Sequence, residues 1–134
     1  MPSLDKLFEA ARTIQAKAYA PYSRFKVGAA IETPDGRIFS GCNVENAAYP
    51  VGSCAEAGAI SAMIAAGENR IARIVVMGEG DNLVTPCGGC RQRIREFAPL
   101  DAPIHIAGPE GIRKSFTLDE LLPFSFGPDN LSAR

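Results

Sequence analysis

The chain has 134 residues, of which 46% are hydrophobic, and its net charge is −1. This length fits one domain over residues 1–134 that buries roughly two-thirds of the surface its unfolded chain exposes. The near-neutral charge, with neither a basic stripe nor an acidic tail, argues against nucleic-acid or membrane partners held by charge and favours a small ligand. No segment resembles a signal peptide or a membrane span, so we expect a cytoplasmic protein.

The first half of the chain predicts a helix followed by a hairpin. Apolar residues recur at helical spacing over residues 4–18, with Ser3 as the expected N-cap. Residues 26–33 and 37–45 have strand character, and Thr33-Pro34-Asp35-Gly36 between them has the residues of a tight turn. We therefore expect an antiparallel pair, followed by a loop at 46–53.

The remaining elements alternate between helix and strand. We expect a helix at 54–66, a buried central strand at 71–78, a helix from the Cys87–Cys90 stretch, a strand at 104–107 and a capped short helix at 117–122. The order α-β-β-α-β-α-β predicts an α/β fold, because strands separated by helices favour parallel crossovers. The expected architecture is a three-layer α-β-α arrangement with a mixed central sheet.

Three of the four cysteines predict a metal site. Cys87 and Cys90 have the C-x-x-C spacing of zinc sites, and Cys54 stands at the N-terminus of the expected second helix. All three stand at helix N-termini that follow strands of one sheet, where the positive helix end favours thiolates. Three protein ligands leave the fourth position of zinc open for water, as in catalytic sites. Glu56, two residues after Cys54, is the expected acid/base on that water.

Simpler interpretations of these residues also exist. Cys42 could complete a structural four-cysteine zinc site, although strand alternation places it on the face opposite Asn43 and Glu45. Glu56 could only complement the dipole of its helix. The lone histidine, His105, lies in a strand segment far from the cysteine motifs, so we expect a structural role for it.

The motifs together resemble those of a known family. Cys54-Ala55-Glu56 with the stretch from Pro86 to Gln92 is similar to the zinc-dependent cytidine deaminases, of the small homotetrameric type with three cysteine ligands. Further similarity lies in the stretches 22–30, 41–46, 49–50, 121–123 and 126–128, so that it covers nearly the whole chain.

The resemblance implies the roles of individual residues. One Zn²⁺ per subunit would be held by the three cysteines, and Glu56 would shuttle protons. The expected substrate contacts come from both polar and aromatic groups: Asn43 and Glu45 to the ribose hydroxyls, Phe25 to the pyrimidine ring, the Ala55 backbone to its polar edge, and Tyr49 and Phe126 to the pocket of a neighbouring subunit in a homotetramer.

One departure from the family pattern concerns the charge at the metal. The family often has Arg directly after the catalytic Glu, where it hydrogen-bonds the thiolates, whereas this chain has Ala57. Arg91, next to Cys90, is the expected replacement donor. Related deaminases of aminonucleoside antibiotics also lack that Arg, which keeps a modified cytosine nucleoside open as the substrate. The expected reaction remains deamination of cytidine and deoxycytidine to uridine and deoxyuridine plus ammonia, in pyrimidine salvage.

Overall fold

A five-stranded mixed sheet forms the middle of the computed structural model, which describes residues 3–132. The strands lie in the order β2-β1-β3-β4-β5. Only β3 and β4 pair in parallel; the other neighbours are antiparallel, including the predicted β1–β2 hairpin. The strands are β1 (Gly28–Glu32), β2 (Ile38–Cys42), β3 (Arg73–Met77), β4 (Pro103–Gly108) and β5 (Gly111–Thr117).

Helices cover both faces of this sheet. The helices are α1 (Asp5–Gln15), α2 (Ala55–Ala65), α3 (Gly88–Phe97), α4 (Leu118–Leu121) and α5 (Asp129–Ser132). One apolar cluster joins α1 to the sheet, and a larger one joins α2 and α3 to the opposite face. The expected three-layer α-β-α fold is therefore confirmed. Within residues 3–132, every helix is too short or too polar to cross a membrane.

Both hairpin strands approach the helices closely because each carries a glycine. A Cβ on Gly41 would lie 2.4 Å from the Ala59 amide nitrogen in α2, and a Cβ on Gly28 would lie 2.3 Å from the Ala11 carbonyl oxygen in α1. Separations this short are not tolerated, so larger residues there would push the helices away from the sheet. The start of α2 is thus held tightly against β2.

Strand direction brings two loops to one edge of the sheet. Strands β2 and β3 both run antiparallel to β1, and Cys42 and Met77 at their carboxyl ends both pair with Gly28. The chain leaves these two strand ends to enter the loops that precede α2 and α3. The edge therefore gathers the starts of both helices, as α/β folds commonly do at their binding sites.

Most expected elements are present, but three differ from the prediction. Helix α1 ends at Gln15 and not at residue 18, because the chain turns there. Tyr19 then pairs with Val44 in extended conformation. Leu4 occupies the N-cap position, while the Ser3 hydroxyl accepts the Asp5 N–H from one residue further out. Strand β5 was not predicted. The capping box at Thr117 is confirmed, with Glu120 as its partner.

Candidate metal centre and active site

Three sulfur atoms meet at the edge where α2 and α3 begin. Cys54 is the N-cap residue of α2, Cys87 is the N-cap residue of α3, and Cys90 lies in the first turn of α3. Their Sγ atoms all lie within 4.8 Å of one another. Sulfurs bound tetrahedrally to zinc at about 2.3 Å stand roughly 3.8 Å apart, so the three cysteines fit a zinc ion with little movement.

The electrostatics of the cluster also favour a cation. Burial raises the pKa of the Cys54 and Cys90 thiols, and in Cys90 the nearby Glu56 carboxylate adds to this effect. The Cys90 backbone N–H instead lowers the pKa of Cys87. Of the three cysteines, Cys87 alone therefore shows the lowered pKa that was expected at a helix N-terminus. A divalent ion would stabilise all three thiolates, because metal ligands of this type bind deprotonated.

Glu56 stands in the first turn of α2, beside the sulfurs and out of contact with solvent. Its residue is 4% exposed, and this burial raises the pKa of its carboxyl group. A carboxyl that only complemented the helix dipole would gain most by staying solvated. A buried carboxyl with a raised pKa next to a metal site is suited to taking up and releasing protons.

Cys42 stands apart from the three sulfurs. It pairs with Gly28, and both residues lie on the sheet face that α1 covers, whereas Gly41 faces α2. The group of sulfurs close enough to share an ion comprises Cys54, Cys87 and Cys90 without Cys42. The strand alternation read from the sequence therefore holds, and the site has a three-cysteine geometry.

The arginine expected at the thiolates is at a different position. Arg91 donates to the carbonyl oxygens of Pro86 and Leu121 and to the Thr85 hydroxyl, at 2.7, 2.7 and 3.0 Å. It thus holds the backbone before Cys87 in place. Arg93, which received no role from the sequence, donates through Nη1 to Cys90 Sγ at 3.5 Å. The sulfur contact is therefore made by Arg93, whereas Arg91, the residue expected there, donates to the backbone and to a hydroxyl.

A cavity of about 450 Å³ opens next to Cys54. This volume lies within the range of small-molecule sites. Asn43, Glu45, Tyr49 and Cys54 are among the residues that line it. The structure therefore brings the two polar residues expected to bind a sugar to the same cavity as one of the metal ligands.

The side chains of Asn43 and Glu45 also hold the turn that precedes β1. Asn43 accepts the Val27 N–H and donates to the Phe25 carbonyl oxygen, at 2.9 and 2.8 Å. Glu45 accepts the backbone N–H groups of Tyr22 and Ser23. These bonds leave acceptor capacity on Glu45 and one amide hydrogen on Asn43 for a ligand.

Ser23 connects this turn to Glu45, a role that the sequence did not reveal. Its hydroxyl donates to Glu45 Oε2 and accepts the Phe25 N–H. The Ser23 hydroxyl, together with the backbone N–H groups of Ser23 and Tyr22, lowers the pKa of Glu45, which favours its charged form. The neighbouring Arg24 has a φ of 58°, which shows how tightly the turn is constrained.

Of the other expected contact residues, Tyr49 lines the cavity, whereas Phe25 and Phe126 are not among its lining residues. Phe25 and Phe126 are 38% and 59% exposed, and Tyr49 is 75% exposed with its ring 6.1 Å from that of Tyr22. The backbone N–H of Ala55 lies in the first turn of α2, where helices leave such donors without intrahelical partners. The aromatic rings therefore remain available to a ligand or to a second chain.

Comparison with known proteins agrees with this geometry. The family model described as the cytidine and deoxycytidylate deaminase zinc-binding region matches residues 1–105. The chain belongs to this family. Its site is that of a zinc enzyme of the cytidine deaminase class, with zinc as its cofactor.

Individual relatives match over nearly their whole length. The cytidine deaminase of Sporosarcina psychrophila is 36% identical over 129 residues, which are 96% of this chain and 95% of that protein. That of Mycobacterium tuberculosis is 38% identical over 134 residues, or 98% and 96%. The crystal structure of cytidine deaminase from Burkholderia pseudomallei has a TM-score of 0.87 and 42% identity, and the match covers 93% of this chain and 100% of that one.

The three-cysteine geometry predicts a clear difference between Cys42→Ala and Cys87→Ala. Cys42→Ala should retain one zinc ion per chain, because its side chain faces α1, whereas Cys87→Ala should lose most of its zinc for want of a ligand. Inductively coupled plasma mass spectrometry of the purified, dialysed proteins measures the number of zinc ions per chain. Loss of zinc from both variants would show instead that all four cysteines bind the metal.

Proposed function

We propose that this chain hydrolyses the amino group of cytidine and deoxycytidine, giving uridine or deoxyuridine and ammonia, in the cytoplasmic salvage of pyrimidines. The observation that carries the proposal is the buried Glu56 beside three sulfurs that fit a zinc ion, in a chain of the cytidine deaminase family. The three relatives named above are each called a cytidine deaminase, and these names support the base and the nucleoside form of the substrate.

Cys54, Cys87 and Cys90 would hold the metal in this reaction. When bound there, zinc supplies a water molecule acidified to near neutral pH. Glu56 takes the proton of that water and delivers it to N3 of the cytosine ring, which makes C4 electrophilic. The oxygen of the water then bonds to C4, and Glu56 takes the remaining proton from that oxygen and passes it to the amino group, so that the C4–N bond can break. The amine leaves as ammonia, and the oxygen of the water remains as the carbonyl of the product.

The cavity next to Cys54 would hold the sugar. Glu45 is a charged acceptor with unused capacity, and Asn43 retains a donor hydrogen, so both can bond to ribose hydroxyls. Phe25 would pack against the pyrimidine ring, and the Ala55 N–H would bond to its polar edge. A deaminase of modified or antibiotic nucleosides, which Ala57 left open, is not favoured, because relatives of this similarity are cytidine deaminases.

Glu56→Gln tests the proton transfer. The substitution keeps the size of the side chain and the three ligands but removes the base, so kcat should fall by at least about 10²–10⁴-fold while zinc content stays unchanged. Ammonia release from cytidine measures kcat, and elemental analysis of the same sample measures zinc. Turnover near that of the unchanged protein would remove Glu56 from the catalytic role.

Glu45→Ala tests the sugar contact. Loss of a hydrogen bond to a charged group should lower kcat/KM for cytidine by about 10–100-fold, mainly through KM. With 2′,3′-dideoxycytidine, which lacks those hydroxyls, the same substitution should have a much smaller effect. Steady-state kinetics with both substrates measure the ratio.

Ser23→Ala is the matched control for Glu45→Ala. It removes the hydroxyl that links Glu45 to the turn but keeps the carboxylate, so any effect of a disturbed turn should reduce the turnover of both substrates alike. If Glu45→Ala also reduces kcat/KM equally for both substrates, Glu45 supports the turn and does not bind the sugar hydroxyls.

We propose further that the protein works as a homotetramer with shared active sites. The support is the exposure of Tyr49 at the cavity and of Phe124 and Phe126 near the chain end, since large exposed aromatic groups commonly mark interfaces. Native mass spectrometry should give about four times the mass of one chain. A stable, active single chain would contradict shared sites.

A further inference from the structure

Arg93 lies one helical turn after the last cysteine of the metal centre. Both residues belong to α3, and residues three apart lie on the same side of a helix. Arg93 Nη1 stands 3.5 Å from Cys90 Sγ, which is within hydrogen-bond distance for sulfur. The sulfur is buried, whereas Arg93 is exposed, so the guanidinium approaches the metal centre from its outer side.

Small residues leave the space that the guanidinium uses. Ala57 and Arg93 line the same hollow between α2 and α3, together with Ile60 and Phe97. A Cβ on Gly89 would lie 3.4 Å from Arg93 Nη1, so that glycine also leaves the approach open. A long side chain at position 57 would enter this same hollow. An arginine at position 57, where the family often has one, would therefore occupy the same hollow as Arg93 on α3.

The charge at the site gives this contact a chemical role. Three thiolates and one zinc ion carry a net charge of −1, and the carboxylate of Glu56 adds to it. A centre with this excess of negative charge draws electron density from its water poorly and benefits from donors to its sulfurs. Arg91, the other arginine at the cysteine loop, donates hydrogen bonds from its guanidinium to backbone carbonyl oxygens and a hydroxyl.

We infer that Arg93 is the positioning residue of the zinc thiolates: its guanidinium donates to Cys90, offsets the negative charge of the centre and thereby retains the metal. The donor comes from α3 in this chain, in compensation for Ala57 on α2. The inference concerns how the centre is held, and it rests on zinc binding and not on the identity of the nucleoside.

The test uses the zinc-loaded protein and three variants. Arg93→Gln removes the charge at an exposed position, and Ala57→Arg combined with Arg93→Gln supplies an arginine to the same hollow from α2. Arg70→Gln is the matched control, because Arg70 is an exposed arginine on the loop after α2 and its loss changes net charge equally. Zinc transfer to 4-(2-pyridylazo)resorcinol is followed by absorbance, and kcat and KM for cytidine are measured on the same samples.

Arg93→Gln should speed zinc transfer by about tenfold, in line with losses of outer partners at metal sites. Arg70→Gln should stay within about twofold of the unchanged protein, and the double variant should recover most of the loss. The fall in activity of Arg93→Gln should appear in kcat more than in KM, because the arginine lies away from the sugar cavity.

Three results would overturn the inference. One is zinc transfer from Arg93→Gln at the rate of the unchanged protein. The second is equal acceleration in Arg70→Gln, which would reduce the effect to net charge. The third is a double variant that folds normally by circular dichroism but still loses zinc as fast as Arg93→Gln. That result would show that an arginine on α2 cannot replace Arg93 on α3. Each result is distinct from a failure of the proposed function, which would appear as absent cytidine turnover in the unchanged protein.

Discussion

The concentration of acidic groups at one edge of the sheet is the constraint on which the rest of the structure depends. Three thiols and the carboxyl group of Glu56 lie together, and burial opposes the ionisation of Cys54, Glu56 and Cys90. Such a cluster gains stability when a cation joins it. The fold supplies the geometry, because parallel directions of β2 and β3 bring the starts of α2 and α3 to one place. The glycine at position 41 then lets α2 lie directly on the sheet.

The turn before β1 couples substrate recognition to local stability. Asn43 and Glu45 hold the backbone of residues 22–27, and they also face the cavity beside Cys54. A side chain with structural bonds on one side is already fixed in orientation when a ligand arrives, so less conformational entropy is lost on binding. Ser23 completes this arrangement, since its hydroxyl links Glu45 to Phe25. The same residues therefore serve folding and, in the proposed function, recognition.

Much of the fold and the metal ligands could be predicted from the sequence because their signals are local. Spacing pointed to Cys87 and Cys90 and helix position pointed to Cys54, and the structure brings these three sulfurs together. Strand alternation separated Cys42 from them. The misses depend on contacts between distant residues. Strand β5 follows β4 after a two-residue turn at Pro109–Glu110. Every second residue in it, Ile112, Lys114 and Phe116, mixes apolar with charged side chains, which is weak evidence for a strand without the neighbouring strand. The choice between Arg91 and Arg93 depended on which way each guanidinium points, and neighbours in sequence do not decide that.

We conclude that this chain uses a zinc ion to hydrolyse the amino group of cytidine. The most direct test is the ultraviolet absorbance of cytidine, and of deoxycytidine, incubated with the zinc-loaded protein with and without a chelator. We expect conversion to the uridine spectrum, which should be lost when the chelator removes the metal and regained when zinc is restored. Cytidine and deoxycytidine that remain intact while one zinc ion is bound per chain would contradict it.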